Sequence, residues 1–229
     1  MKRPLILFLF LISAITVLSQ DSIPFHRRWS FGFQGGAVGT HDFRKQHYSF
    51  RQKSAVGYIG GFALQYKFTP RGTFCIEWDY LSEKFYIIDN SPWIYPDGTV
   101  EFRGTTKLLW AYDYITMPIS FKFDLNKKPT RWFFNLGMNS EYLLRSGYAL
   151  NSKDVKYQMA KSGSTVHFGL ITGFGVGIPI KGHTKFLIEL RNNLNYGASS
   201  DFFDIGGAFE NLSYRTAIDN LDLLLGFSF

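Results

Sequence analysis

The stretch Leu221–Phe229 reads LDLLLGFSF, and its period governs how the rest of the chain is read. Leu221, Leu223, Leu225, Phe227 and Phe229 fall on every second position, with Asp222, Gly226 and Ser228 among the alternates. Side chains alternate between the two faces of a β-strand, so one face of this segment is wholly apolar and the other mostly polar or small. Terminal residues usually fray unless a sheet ties them down. A strand that carries its apolar pattern through to an aromatic residue is therefore expected to be paired along its length.

The same period of two recurs in seven earlier segments: 29–38, 57–68, 73–88, 112–123, 131–148, 164–180 and 185–197. Trp29, Phe31 and Phe33 oppose Ser30, Gly32 and Gln34; Phe74, Ile76, Trp78 and Tyr80 oppose Cys75, Glu77 and Asp79. Ile115, Met117, Ile119, Phe121 and Phe123 oppose Thr116, Ser120 and Lys122. In the sixth segment His167 and glycines 169, 173, 175 and 177 form the small face against Phe168, Leu170, Phe174 and Val176. Several of these strands exceed the usual 5–6 residues. A soluble sandwich would turn the apolar faces inward; a membrane barrel would turn them toward lipid and fill its lumen with the polar faces. Alternation alone does not separate the two.

The connections do. Short turns at 69–72 (TPRG), 124–130 (DLNKKPT) and 181–183 (KGH) alternate strictly with long connections at 39–55, 89–107, 149–161 and 198–220. That sorting is the topology of outer-membrane barrels with an even strand number, short turns on the periplasmic side and long loops outside. In lipid an open sheet edge leaves backbone groups unsatisfied, so the first and last strands are expected to pair. The fold expected is all-β: a single eight-stranded antiparallel up-and-down transmembrane barrel over residues 20–229, both termini periplasmic.

The first residues agree with export. Lys2 and Arg3 precede an apolar run from Leu5 to Leu18, shorter than the ~20 residues a spanning helix needs. A charged start, a short apolar middle and a small-residue exit describe a signal peptide over residues 1–19, cleaved before Gln20. Cys75 is the one cysteine of the chain, so neither an intramolecular disulfide nor a cysteine metal cluster can form. The composition is 18% aromatic with 22 glycines, and mean hydropathy near zero is too polar for a helical membrane protein. Net charge is +7, scattered rather than clustered, which argues against a nucleic-acid surface.

The inward set contains Lys67, Glu77, Asp79, Lys122, Glu141, Arg145, Glu189, Arg191 and Asp222. An eight-stranded barrel is just wide enough for side chains to fill it, and an unpaired buried charge is costly. These residues are expected to form a polar lumen network; a narrow ion path is the functional alternative. His167, with Ser164 and Thr165 beside it, admits a hydrolase reading, but no spacing selects a nucleophile–base pair. Glycines 173, 175 and 177 lack the following helix of a phosphate loop and are read as room for bulky neighbours. No enzyme activity, metal or cofactor is expected. Trp29, Trp78, Trp110 and Trp132 suit an interfacial aromatic girdle. The basic, aromatic loops around 41–53 and 93–104 suit contact with lipopolysaccharide phosphates or a protein partner.

The segment Tyr112–Phe123, YDYITMPISFKF, follows a long connection and precedes NKKPT. It resembles the fourth strand of PorT-type outer-membrane β-barrels: an aromatic or apolar residue, then I-x-x-P at Ile115–Pro118, and an end in Lys122 and Phe123. FNLGMNSEYLLRSGY, GLITGFGVGIPI and FLIELRNNLNYG resemble the strands that follow. The resemblance implies an integral outer-membrane protein of a Bacteroidetes-type, Gram-negative envelope. The family's namesake takes part in type IX secretion, so the resemblance also implies secretion-system partners; it brings no catalytic residues. The expected function is a non-enzymatic accessory of protein secretion acting through loop or rim contacts. The alternatives are a structural or adhesive barrel of the OmpA/OmpX kind and a lipid-modifying enzyme. Leu225, Phe227 and Phe229 resemble the terminal signal that barrel-assembly machinery recognises. Expected partners are therefore outer-membrane lipid, lipopolysaccharide, that machinery and secretion proteins.

Overall fold

A computed structural model of the chain describes residues 29–41, 50–89, 93–94, 99–101, 106–150, 156–159, 166–195 and 219–229. The expected signal peptide over residues 1–19 and its expected cleavage site lie outside these residues. The strands are β1 (Trp29–His41), β2 (Phe50–Lys67), β3 (Gly72–Asp89), β4 (Trp93–Ile94), β5 (Val100–Glu101), β6 (Thr106–Thr116), β7 (Ile119–Asp124), β8 (Arg131–Leu150), β9 (Lys156–Met159), β10 (Val166–Lys181), β11 (Thr184–Asn195) and β12 (Asp219–Ser228).

Every pairing among them is antiparallel, and the sheet closes on itself in a ring of eight staves. β6 and β7 together make one stave, interrupted at Met117–Pro118. Proline has no N–H to give a ladder, yet the stave stays bonded on both sides: Glu77 N donates to Pro118 O (2.9 Å) and Met117 N to Ser140 O (2.8 Å). Closure is made by the segment that opened the sequence reading. Leu223 of β12 lies opposite Ala37 of β1 and Leu190 of β11, so the last strand is paired along both edges.

The short turns are tight for local reasons. Gly182, φ 60°, is the first residue of a two-residue hairpin turn between β10 and β11, where the strand twist demands positive φ. Asn126 braces the β7–β8 turn, donating to Thr130 O (3.0 Å) and accepting from Trp132 N (3.1 Å). The long connections carry more strand than the sequence pattern suggests. Residues 50–55 pair with β3, 106–108 with β3, Leu108 also with β8, and 156–159 with β8. Beyond the level of Val56 and Tyr142, β2, β3, β6 and β8 continue without their ring neighbours β1 and β10. They form a raised wall on one side of the long-connection mouth.

Polarity is inverted relative to a soluble domain. Phe31, Phe62, Met138, Phe168, Leu190 and Leu223 are each between 46% and 61% exposed, while Glu77, Glu141, Arg191 and Asn135 are at most 1% exposed. An apolar belt of this extent in water would be an aggregation surface; against hydrocarbon it is at no disadvantage. Inside, one apolar layer interrupts the polar fill: Val38, Ile59, Leu81, Tyr114, Leu143 and Leu224 converge from six staves. Along β3 the inward sequence is therefore Glu77 and Asp79, then Leu81, then Glu83.

Candidate functional site

The lumen begins with a pair that crosses it. Arg191 on β11 and Glu77 on β3 stand four staves apart in a ring of eight, on diametrically opposite walls. The guanidinium grips the carboxylate bidentately, Nη1–Oε2 at 2.7 Å and Nη2–Oε1 at 3.1 Å, the strong geometry for such a pair. Its Nε donates to Glu189 Oε1 at 2.9 Å. Lys122 Nζ lies 3.2 Å from Glu189 and 3.7 Å from Glu77. Asn135 donates to Glu189 (2.9 Å), and Gln34 bridges Glu77 (2.7 Å) and Asp79 (3.2 Å). Five staves are thereby tied together through the lumen centre.

A second cluster lies toward the long connections. Asn139, Asn193 and Asn195 all donate to Glu141, at 2.6 to 3.2 Å. Asn220 on β12 donates across the lumen to Glu83 on β3. Asp222 is buried opposite Arg191 and Val38 on the neighbouring strands. The inward glycines of β10 give these groups their room. A Cβ on Gly173 would sit 2.8 Å from Glu189 Oε1 and 3.3 Å from Asn135 Cβ, and one on Gly175 would strike the Phe133 ring.

Of the residues the sequence assigns to the lumen, Glu77, Lys122, Glu189 and Arg191 meet directly, with Asp79 joined through Gln34. Glu141 and Asp222 lie inward in other contacts, and Lys67 stands at the short-turn mouth. Arg145 does not belong with them. Asp113 pairs with Arg145 but Tyr114 with Leu143, so Leu144 is an extra residue that reverses the parity of β8. Arg145 Nε then bonds Asp113 Oδ2 (2.5 Å) and its Nη2 reaches the Tyr80 hydroxyl (3.4 Å). Tyr80 stacks on Tyr58, which is 49% exposed, so Arg145 is on the outer side of the wall.

Trp110 is likewise inside rather than in the girdle. It packs with Phe85, Tyr112 and Tyr148 on the inner face of the raised wall, whereas Trp29 and Trp132 are outward near the short turns. Gln34, Asn135, Asn139, Asn193 and Asn195 fall on the polar faces by alternation but lie outside the charged set read from the sequence; Glu83 shares the parity of Glu77 and Asp79, and that parity is the signal that finds it. His167 is inward with its ring 5.8 Å from that of Tyr114; Ser164 and Thr165 lie outside the described residues. Among the described residues no group of three or more His, Cys, Asp or Glu is arranged to hold a metal ion.

A closed antiparallel ring with an apolar outside and a hydrogen-bonded ionic inside defines a transmembrane β-barrel. Residues 18–198 match the model of the outer membrane protein beta-barrel domain. The chain belongs to that family, and so to the integral proteins of the Gram-negative outer membrane. No curated protein matches the sequence. Among solved structures, Neisserial surface protein A is similar at 14% identity, over 86% of this chain and 95% of that one, TM-score 0.44. OprG of Pseudomonas aeruginosa is similar at 9% identity over 89% and 97%, TM-score 0.43. Ail, the attachment invasion locus protein of Yersinia pestis, is similar at 9% identity over 89% and 100%, TM-score 0.40.

Proposed function

We propose that the protein is a non-enzymatic, non-conducting outer-membrane scaffold that holds its long connections and raised wall outside the membrane for contact with other molecules. The supporting observation is the lumen-crossing Arg191–Glu77 pair with its Lys122–Glu189 flank. Fixed, mutually paired charges on opposite walls stiffen a barrel and leave no solute path, so the chemistry available to partners is at the rims. With short turns periplasmic, the raised wall stands at the outer mouth, stiffened by a buried aromatic stack of Phe85 and Trp110 with Tyr112 and Tyr148. On its outer side Lys84 lies over the Tyr58 ring (5.8 Å) and Arg145 beside Tyr80, suited to lipopolysaccharide phosphates. A Tyr58→Ala/Lys84→Gln variant, changed on the exposed outer side of the wall, should reproduce the surface-contact phenotype of a gene deletion while still assembling. Wild-type behaviour of that variant would remove the wall from the proposal.

A second reading is the secretion accessory. Its support is the PorT-like segment Tyr112–Phe123, which supplies the interrupted fourth stave with Pro118 at its break. The reading expects a deletion strain to lose exported proteins from the medium; an unchanged secretion profile would leave the structural or adhesive reading alone. The lipid-modifying alternative expects altered lipid A in the same strain, and mass spectrometry of an unchanged lipid A would end it.

A further inference from the structure

The lumen cluster toward the long connections contains amide oxygens that neither the lumen-crossing pair nor the proposed rim contacts use. Gly169 faces inward on β10, with Asn139 of β8 and Asn195 of β11 directly opposite it on either side. Asn193 lies two residues earlier on β11, where alternation returns it to the same face. The Nδ2 groups of all three asparagines donate to Glu141. A carboxylate only accepts, so each amide turns its nitrogen to Glu141 and its oxygen away. Those three oxygens accept from no donor among the described residues, and the side chains are buried at 2%, 4% and 5% exposure. Two of them are aimed into the gap left by the missing side chain of Gly169. A Cβ there would overlap Asn195 Oδ1 and lie 3.1 Å from Asn193 Oδ1, with Leu194 O at 2.8 Å. The glycine therefore makes a niche on which two unpartnered amide oxygens converge.

The field around this niche is negative. Glu141 acts electrostatically on Glu83, and Asp222 acts on both; all three are buried. Among the described residues neither Glu83 nor Glu141 is ion-paired with a lysine or arginine. Arg191 acts on Asp222 but is engaged by Glu77 and Glu189. His167 stands opposite Glu141 on β10, its ring 5.8 Å from that of Tyr114. Asn220 Oδ1 and Asp222 Oδ1 are also buried without a donor, so what this cluster lacks is donors and positive charge, not acceptors. A buried acceptor left unmade costs ~1–3 kcal/mol. A cation satisfies several at once and answers the charge, whereas water supplies donors alone.

We infer that this niche binds a calcium ion, held by the amide oxygens of Asn193 and Asn195 with water in its remaining positions. Calcium accepts asparagine carbonyls and water among its oxygen ligands and tolerates irregular geometry, whereas magnesium demands a near-ideal octahedron. Glu141 stands behind the ligands and orients them through the N–H groups it accepts, as an outer-shell carboxylate does at a metal site. The ligands are amides rather than three acidic or histidine side chains, a grouping not found among the described residues.

The test is calorimetric titration of the full chain with calcium chloride, after refolding in non-ionic detergent free of lipopolysaccharide and treatment with a chelator. Saturable binding of one calcium per chain is expected, with a Kd of about 10⁻⁴–10⁻³ M and no such binding of sodium. Glu141→Gln, Asn193→Ser and Asn195→Ser should each weaken it about tenfold or more. Asp124→Asn, an acid at the short-turn mouth, should leave it unchanged, and heat-modifiable gel migration verifies that each variant is folded. A rise in the wild-type urea midpoint with calcium, not reproduced by sodium, is the matching readout without substitution. Absence of saturable calcium binding would overturn the inference and leave the niche to water. So would unchanged affinity in the folded Asn193 and Asn195 variants, an equal loss in Asp124→Asn, or binding of sodium without calcium.

Discussion

Replacing Arg191 by Met removes the group that spans the lumen and leaves its partners in place. The guanidinium makes contacts of 2.7 and 3.1 Å to Glu77 and 2.9 Å to Glu189, with side-chain exposures of 2%, 0% and 4% for the three residues. Stranding one partner of a buried pair typically costs ~3–5 kcal/mol. Glu77 would keep Gln34 at 2.7 Å and Lys122 at 3.7 Å, so the loss should fall near ~3 kcal/mol, the lower end of that range. Glu77→Leu alone should cost about as much, because Arg191 then keeps only Glu189 while Lys122 competes for the same carboxylate. The double variant Glu77→Leu/Arg191→Met leaves Lys122–Glu189–Asn135 intact and puts two apolar side chains where the pair stood. Such replacements are often neutral or stabilising, so the double variant should lie within ~2 kcal/mol of wild type rather than at the ~6 kcal/mol sum. Urea unfolding of the barrel in lipid vesicles, followed by tryptophan fluorescence, reads these differences. Additive losses in the double variant would refute the reasoning, because they would mean that the two residues act independently rather than on one another.

Other consequences are separately measurable. Gly173→Ala places a methyl against Glu189 and Asn135 and should lower stability by ~1–3 kcal/mol through overpacking; an unchanged urea midpoint would show that the carboxylate has slack. Phe229 N donates to Phe31 O at 2.8 Å, and its ring lies 5.8 Å from that of Phe33. Phe229→Ser should therefore lower assembled protein in the outer membrane without lowering synthesis, and equal assembly would deny the terminal residue that role. In planar bilayers the wild-type barrel should give no stable conductance steps, since the ionic cluster fills its bore; a persistent open channel would contradict the sealed lumen.

The ring was legible because membrane barrels keep period two over long strands: Phe31, Phe62, Phe121, Phe168 and Leu223 fall on the outer face by alternation alone. Alternation fails where an extra residue enters. Nothing local distinguishes Leu143-Leu144 from ordinary strand, yet the shift opposite Asp113 and Tyr114 carries Arg145 to the outer side. Trp110 is missed for a related reason, since aromatic residues suit both a lipid interface and the inner face of a wall. The composition of the network was partly legible, its pairing not at all. Glu77 and Arg191 lie 114 positions apart, and only the stave order and register of the closed ring make them opposite neighbours.

The inverted polarity of the closing strand admits the most direct measurement. Spin labels placed one at a time at positions 221 to 225, in a Cys75→Ser background, report contact with membrane-dissolved oxygen in a lipid bilayer. Leu221, Leu223 and Leu225 are 47–51% exposed on the outer face, and Asp222 and Leu224 each 2% exposed within. Oxygen contact should rise at 221, 223 and 225 and fall at 222 and 224. A flat profile, or maxima at the even positions, would contradict a barrel that shows its apolar face to lipid and closes on a charged core.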